Sequence, residues 1–312
     1  MNVTASHDVA PALGGRSQSL GPDAARPAPL AGRTALVTGV SRRRGIGFAI
    51  ARRLAADGAS VFIAHWAPHD SLQPWGGDNL EAVRRELASN LAKGAAMGDM
   101  AVDLADPAAP ASLMEAALAL TGSLDILVCN HARSGSDGSL LDVTSDMLDG
   151  HFFVNTRSTV LLTSLFAKAF SGLADGPSAA PGDVIAANAT VNERTTGRVV
   201  WLTSGQARPM PGEAAYAMSK AALAGLVPTA ASELLRLGII LNAVNPGPVN
   251  TGYLDAAVAD RSVEVVDKVL AVMPLGRFGA PADVARLVAW LASDEGRWVA
   301  GQVITSDSGF SL

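Results

Sequence analysis

Between Thr34 and Ala64 the chain runs through a short apolar stretch (Thr34 to Thr38) and a turn with glycines at 39 and 45. An Ala/Arg-rich segment from Ile46 to Asp57 follows, closed by Gly58, and then a second apolar stretch begins at Ser60. The spacing predicts strand, glycine turn, helix, strand. Two strands joined through a helix can only lie parallel, and a parallel sheet needs both faces covered. This unit therefore constrains the whole fold. The same rhythm continues, with strand signals at Ala101–Asp103, Asp125–Cys129, Val199–Leu202, Ile239–Val244 and Gln302–Thr305. Helical signals lie between them at Pro110–Leu120, Asp146–Phe170, Tyr216–Leu237 and Pro281–Ala292. No composition break divides the alternation, so the expected fold is α/β, a single doubly wound parallel sheet with helices on both faces.

The expected domain spans residues 32–312, behind an Ala/Pro/Gly/Ser-rich extension, residues 1–31, that reads as disordered. Two segments break the rhythm. Residues 171–197 read as a mobile surface insertion, and Pro68 to Asn79, with Trp75, as a shorter irregular stretch. His65, His69 and Asp70 lack a further ligand at metal spacing, so no metal site is expected. With 24 Lys+Arg against 29 Asp+Glu, the charge of -5 gives no electrostatic reason for nucleic acid or an anionic membrane as partner. No apolar run approaches the roughly 20 residues of a membrane span. A small-molecule substrate and a cytoplasmic location are expected, and the lone Cys129 excludes an internal disulfide.

The turn after the first strand carries Gly39, Ser41, Arg42, Arg43, Arg44, Gly45, Ile46 and Gly47. Glycines there let the backbone approach a pyrophosphate, and the following helix N-terminus offers free N–H groups and a positive dipole end. The turn is thus expected to bind a dinucleotide. The second strand ends in Ala64-His65-Trp66, where an NAD site commonly has an acid for the ribose 2′-hydroxyl. With no acid at His65 and arginines able to meet a 2′-phosphate, NADP(H) is favoured over NAD(H).

Further on, Val199–Leu202 leads into Thr203, Ser204 and Gly205, then a Pro/Gly-rich loop and a helix with Tyr216 and Lys220. Four residues apart, the phenol and the ammonium share a helix face, where the ammonium can lower the phenol from its usual value near ~10. That would make a general acid/base for neutral pH.

From about Leu30 onward the sequence resembles the short-chain dehydrogenases/reductases, and among them most the 3-oxoacyl-[acyl-carrier-protein] reductases. The resemblance rests on Thr38-Gly39 with Gly45-Ile46-Gly47, Asp103-Leu104, Asn130-His131-Ala132, Asn155, Ser204, Tyr216 to Lys220, and Asn245 to Thr251. A closing stretch from Pro274 to Gly309 also matches. It implies a Rossmann fold and hydride transfer between nicotinamide and a carbonyl or secondary alcohol, with a 3-oxoacyl thioester as one candidate substrate. Tyr216 would exchange the substrate proton, and Lys220 would lower the Tyr216 pKa and hold the nicotinamide ribose. Ser204 would bond the substrate oxygen, and Asn155 would hold a water. Asp103 and Leu104 would meet the adenine, Asn130 the adenosine ribose, and Pro246, Gly247, Val249 and Thr251 the nicotinamide amide and phosphates. Residues 252–273 would form a substrate lid. The family implies a homotetramer, or a homodimer, through the two long helices.

The sequence also departs from that pattern. Val40 to Arg44 makes a longer turn than usual, resembling enoyl-acyl-carrier-protein reductases, which makes enoyl reduction the alternative chemistry. Those enzymes space Tyr and Lys seven apart, and that position here is Leu223. Arg133 replaces a glycine after Ala132 and is placed to enter the site. A dinucleotide-sensing regulator without catalysis is the remaining alternative, which the intact Tyr/Lys pair disfavours.

Overall fold

The computed structural model describes residues 28–172, 196–205, 208–259 and 262–312. The expected N-terminal extension, apart from residues 28–31, and the expected insertion, apart from its two ends, lie outside these.

Among the described residues, β1 (Thr34–Thr38), β2 (Ser60–His65), β3 (Met97–Ala101), β4 (Ile126–Cys129), β5 (Gly197–Leu202), β6 (Ile239–Asn245) and β7 (Val303–Thr305) form one sheet. Its order is β3-β2-β1-β4-β5-β6-β7, and every neighbouring pair is parallel. The helices are α1 (Ile46–Ala56), α2 (Ala67–Ser71), α3 (Leu80–Ala88), α4 (Ala109–Ala119) and α5 (Ser145–His151). They continue with α6 (Ser158–Ser171), α7 (Ala214–Leu235), α8 (Val263–Ala271) and α9 (Pro281–Ala292). Successive strand side chains point to opposite faces. Ala35 and Val37 join a core with Phe48, Leu54, Val83 and Val288 from α1, α3 and α9. Leu36 joins the opposite core, with Leu113, Phe166 and Val227 from α4, α6 and α7. Trp201 of β5 is fully buried there, its indole N–H donating to Thr163 Oγ1 at 3.0 Å. Each fully buried Val, Leu or Phe contributes roughly 1.5–3 kcal/mol, so the sheet is the rigid part of the molecule. The winding reverses between β1 and β4, which opens a crevice at the carboxyl ends of the strands where ligands of such sheets bind.

The structure differs from the sequence expectation in three places. The long helix expected from Asp146 to Phe170 is divided by a π-helical turn at Phe152–Arg157. Thr159 Oγ1 donates to the Asn155 carbonyl at 2.8 Å and Thr156 Oγ1 to the Ser219 carbonyl of α7 at 2.9 Å, so side chains bond carbonyls at the widened turn. The strand expected at Ala101–Asp103 ends at Ala101, and Asp103 caps a turn by accepting the Ala105 N–H at 2.9 Å. The irregular stretch after β2 holds the short α2, and α3 follows it, started by Asn79, whose side chain accepts the Ala82 N–H at 2.9 Å. Among the described residues no helix is long and apolar enough to cross a membrane, and no cluster of His, Cys, Asp and Glu is set to hold a metal ion.

Candidate active site

The carboxyl ends of β1, β2, β4, β5 and β6 open into one cleft of about 1190 Å³. Helix α7 brings Tyr216 to its wall, and its first turn is held from a distance. The Asp137 carboxylate, in the loop after β4, accepts the Ala215 N–H at 3.0 Å and the Tyr216 N–H at 2.7 Å. A carboxylate at a helix N-terminus complements the dipole and satisfies N–H groups that lack helical partners. No local sequence pattern announces this cap, because Asp137 lies far from α7 in the chain.

Ser204 follows β5 and bonds the Tyr216 hydroxyl, which favours the phenolate; the surrounding protein has the larger effect and pushes the phenol up to about 12. Lys220 is buried, with its ammonium 5.8 Å from the Tyr216 ring centroid and donating to the Leu202 carbonyl at 2.9 Å. Burial holds its pKa down to about 8. The expectation of a phenol lowered by Lys220 is therefore not met in this arrangement. Desolvation penalises the charged form of both groups, and the ammonium is directed at a carbonyl.

Asn155, at the π-helical turn, is fully buried. Its Oδ1 accepts the Arg133 N–H at 2.7 Å, and its Nδ2 donates to the Arg133 carbonyl at 3.1 Å and to Ser219 Oγ at 2.9 Å. Ser219 Oγ in turn donates to the Tyr216 carbonyl at 2.8 Å. The side chain to which the resemblance assigns a water thus ties the loop after β4 to α7. His131 lies beneath the same loop, its Nδ1 2.7 Å from Thr38 Oγ1 and its Nε2 2.7 Å from Ser158 Oγ. Burial first, and the Lys220 charge second, bring its pKa down to about 3, so the imidazole is neutral.

The turn after β1 is built for close approach. Gly39 has φ +72°, and a Cβ on Gly47 would lie 2.4 Å from the Gly39 carbonyl oxygen. Asn130 Nδ2 donates to the Thr38 and Gly39 carbonyls, both at 3.1 Å, and fixes the turn from β4. No side chain caps α1 and its first turn has no acid, so its leading N–H groups remain available. A positive helix end beneath a turn that admits no side chain fits a dinucleotide pyrophosphate. Gly39, Ser41, Arg42, Gly45 and Ile46 line the cleft at this end. His65, Asp103, Leu104, Asn130, Ser204, Tyr216, Pro246, Gly247, Val249 and Thr251 line it as well. Lys220 and Asn155 are buried behind that wall, and the Arg44 side chain points to solvent.

All three arginines of the turn have carboxylate partners. Arg42 pairs with Asp70 at 3.1 Å, Arg43 with Asp78 at 2.7 Å and Arg44 with Asp255 at 2.7 Å. Arg42 also donates to the Thr251 carbonyl at 2.9 Å and lies over the Trp75 ring, which meets Tyr253 edge to face at 6.0 Å. The stretch around Trp75 is thereby a strap, joined through Arg42 to the loop after β6. At the end of β2, His65 Nε2 lies 3.0 Å from Asp99 Oδ2, so an acid from β3 stands behind the histidine. Asp99 could be located only from the β2–β3 register, which pairs Ile63 with Asp99.

A family profile described as "Enoyl-(Acyl carrier protein) reductase" matches residues 39–311. That description agrees with the alternative chemistry of the sequence reading better than with carbonyl reduction. The chain is 35% identical over 277 residues to the uncharacterized oxidoreductase YjdA of Bacillus subtilis, covering 88% of this chain and 96% of that protein. It is 34% identical to an Arabidopsis thaliana NADPH-dependent aldehyde reductase-like protein, covering 91% of this chain and 96% of that one. Among solved structures, a short-chain dehydrogenase/reductase from Serratia marcescens shares 32% identity at a TM-score of 0.71, over 91% of this chain and 100% of the other. A metagenomic blue fluorescent protein solved in complex with NADPH shares 32% at a TM-score of 0.70, over 91% of this chain and 100% of that one. With its sheet order, its glycine turn and these likenesses, the chain belongs to the short-chain dehydrogenase/reductase family of NAD(P)-dependent oxidoreductases.

Proposed function

We propose that this chain reduces a carbonyl compound with NADPH, or oxidises the corresponding alcohol with NADP+. The observation that carries this reading is the Ser204 bond to the Tyr216 hydroxyl at the cleft wall, with Lys220 one helical turn on. A carbonyl oxygen between the Ser204 and Tyr216 hydroxyls meets two donors, which polarise it and stabilise charge developing on it. The nicotinamide, when bound, supplies the hydride. Tyr216 holds the proton that the alkoxide takes up, and burial keeps the phenol protonated across the physiological range. Lys220 supplies positive charge beneath it. Ser41, Arg42 and His65 line the cleft and would meet a 2′-phosphate, which supports NADP(H), as does the NADPH complex of the similar metagenomic protein.

Two predictions follow from these assignments. Lys220 loses its charge above about pH 8. Reductive kcat/KM at saturating NADPH should therefore be level below that pH and decline above it, and a plateau extending well past pH 9 excludes the role given to Lys220. For the cofactor, Arg42→Ala should lower the preference for NADPH over NADH by roughly 10- to 100-fold, the worth of one or two charge-assisted hydrogen bonds. Arg44→Ala should have the smaller effect, because Arg44 stands outside the cleft wall and pairs with Asp255. Comparing Kd values for the two cofactors checks both.

Enoyl reduction is the second reading, supported by the description of the matched family. NADPH oxidation with a 3-oxoacyl thioester, a simple ketone and a 2-enoyl thioester separates the chemistries. Turnover of the enoyl compound alone would replace the first reading. Binding of NADPH without turnover of any of them would point to a sensor. The homotetramer is proposed on the apolar exposure of Phe152, Phe153 and Leu161, and of Met218 on α7. Sedimentation at the monomer mass would count against it.

A further inference from the structure

Arg133 lines the cleft, and among the described residues no carboxylate pairs with it. Its backbone is fixed on both sides by Asn155. Its guanidinium lies across Gly150 of α5, so closely that a Cβ there would fall 2.3 Å from Arg133 Nη1. A glycine inside a helix is unfavourable by roughly 0.5–1 kcal/mol relative to alanine, and here its bareness makes room for the arginine. The next residue, His151, is buried and has its ring 6.3 Å from that of Tyr216. Gly150 and His151 thus stand between the guanidinium and the ring of the proposed proton donor, and its charge also reaches His69 of the same cleft. The nearby Asp137 carboxylate is taken up by the N–H groups of Ala215 and Tyr216. Met210, Pro211, Trp75 and Val265 give the cleft apolar lining besides its polar groups.

We infer that Arg133 anchors a carboxylate on the substrate, so that the enzyme acts on an oxo acid whose apolar body separates the carbonyl from the acid group. A planar guanidinium matches a carboxylate with two parallel hydrogen bonds, and a wall of low polarity strengthens that pairing. The glycine turn offers the dinucleotide phosphates partners of its own, the uncapped end of α1 and Arg42. The identity of the substrate's other end rests on the carbonyl-reductase reading above.

The test compares 4-carboxybenzaldehyde with methyl 4-formylbenzoate, two aldehydes that share the ring and formyl group and differ in a charge and a methyl group at the acid end, using the full chain and NADPH. The wild type should favour the carboxylate, and Arg133→Gln should lower the ratio of the two kcat/KM values by about 10- to 100-fold, mainly through KM. Gly150→Ala is the second variant. It keeps Arg133, improves the helix, and should lower the same ratio by displacing the guanidinium. A wild type without preference, or a ratio unmoved by both substitutions, overturns the inference. If neither aldehyde is reduced, calorimetric binding of 4-(hydroxymethyl)benzoate and its methyl ester decides. Binding of the acid that depends on Arg133 keeps the anchor while the reductase reading fails, and binding without such dependence removes the anchor.

Discussion

Tyr216→Phe is expected to lower kcat by about 10²- to 10⁴-fold, the usual contribution of a positioned acid or base, while the Kd for NADPH changes by less than about threefold. The phenol lines the cleft, is bonded to Ser204 and is carried one helical turn from Lys220. Phenylalanine keeps the ring and its edge-to-face contact with His151, and removes only the hydroxyl. Helix α7 should be unaffected, since Asp137 binds the backbone N–H of residue 216 and not its side chain. Stopped-flow hydride transfer and a fluorescence titration of NADPH separate the two effects. Turnover within tenfold of the wild type would remove Tyr216 from the proton-transfer role.

Gly47→Ala is the second large effect. A Cβ at this position would lie 2.4 Å from the Gly39 carbonyl oxygen and 2.6 Å from Asn130 Nδ2. Neither neighbour can yield easily. Gly39 is backbone at the tip of the turn, and Asn130 Nδ2 is committed to the Thr38 and Gly39 carbonyls. The start of α1 must therefore move away from β1, at a stability cost of roughly 1–3 kcal/mol as for other overpacked sites. The N–H groups at the helix end move with it, and NADPH affinity should fall by about 10- to 100-fold through lost hydrogen bonds to the pyrophosphate. Denaturant midpoint and cofactor titration measure the two consequences, and an alanine variant with wild-type values for both would show that the close approach carries no function.

The two predictions draw on different kinds of legibility. Tyr216, Lys220 and the glycine turn lie in short stretches whose spacing already states their chemistry, and the structure puts Tyr216 and the turn on one cleft with Lys220 just behind it. Asp137, Ser219 and Trp75 carry no such sign. Asp137 acts on a helix that begins at Ala214, and Trp75 gains its place only because Arg42 lies over its ring. The roles of the arginines were also hidden. Three in succession read as a phosphate site, yet each has a carboxylate partner from a segment distant in the chain.

By itself the sequence determined the parallel sheet and its order of elements, because hydrophobic period and turn chemistry are local properties. It likewise determined that the glycine turn and Ser204 each follow a strand directly, which puts both at carboxyl ends, where ligands of a doubly wound sheet bind. Only the tertiary structure decided the protonation of the site and the partners of its charges. The Tyr216 phenol stands at about 12 and Lys220 at about 8 because of how much protein surrounds them, and burial is a sum over neighbours from the whole chain. The same holds for Arg133, whose seat on Gly150 exists only once the loop after β4 meets α5.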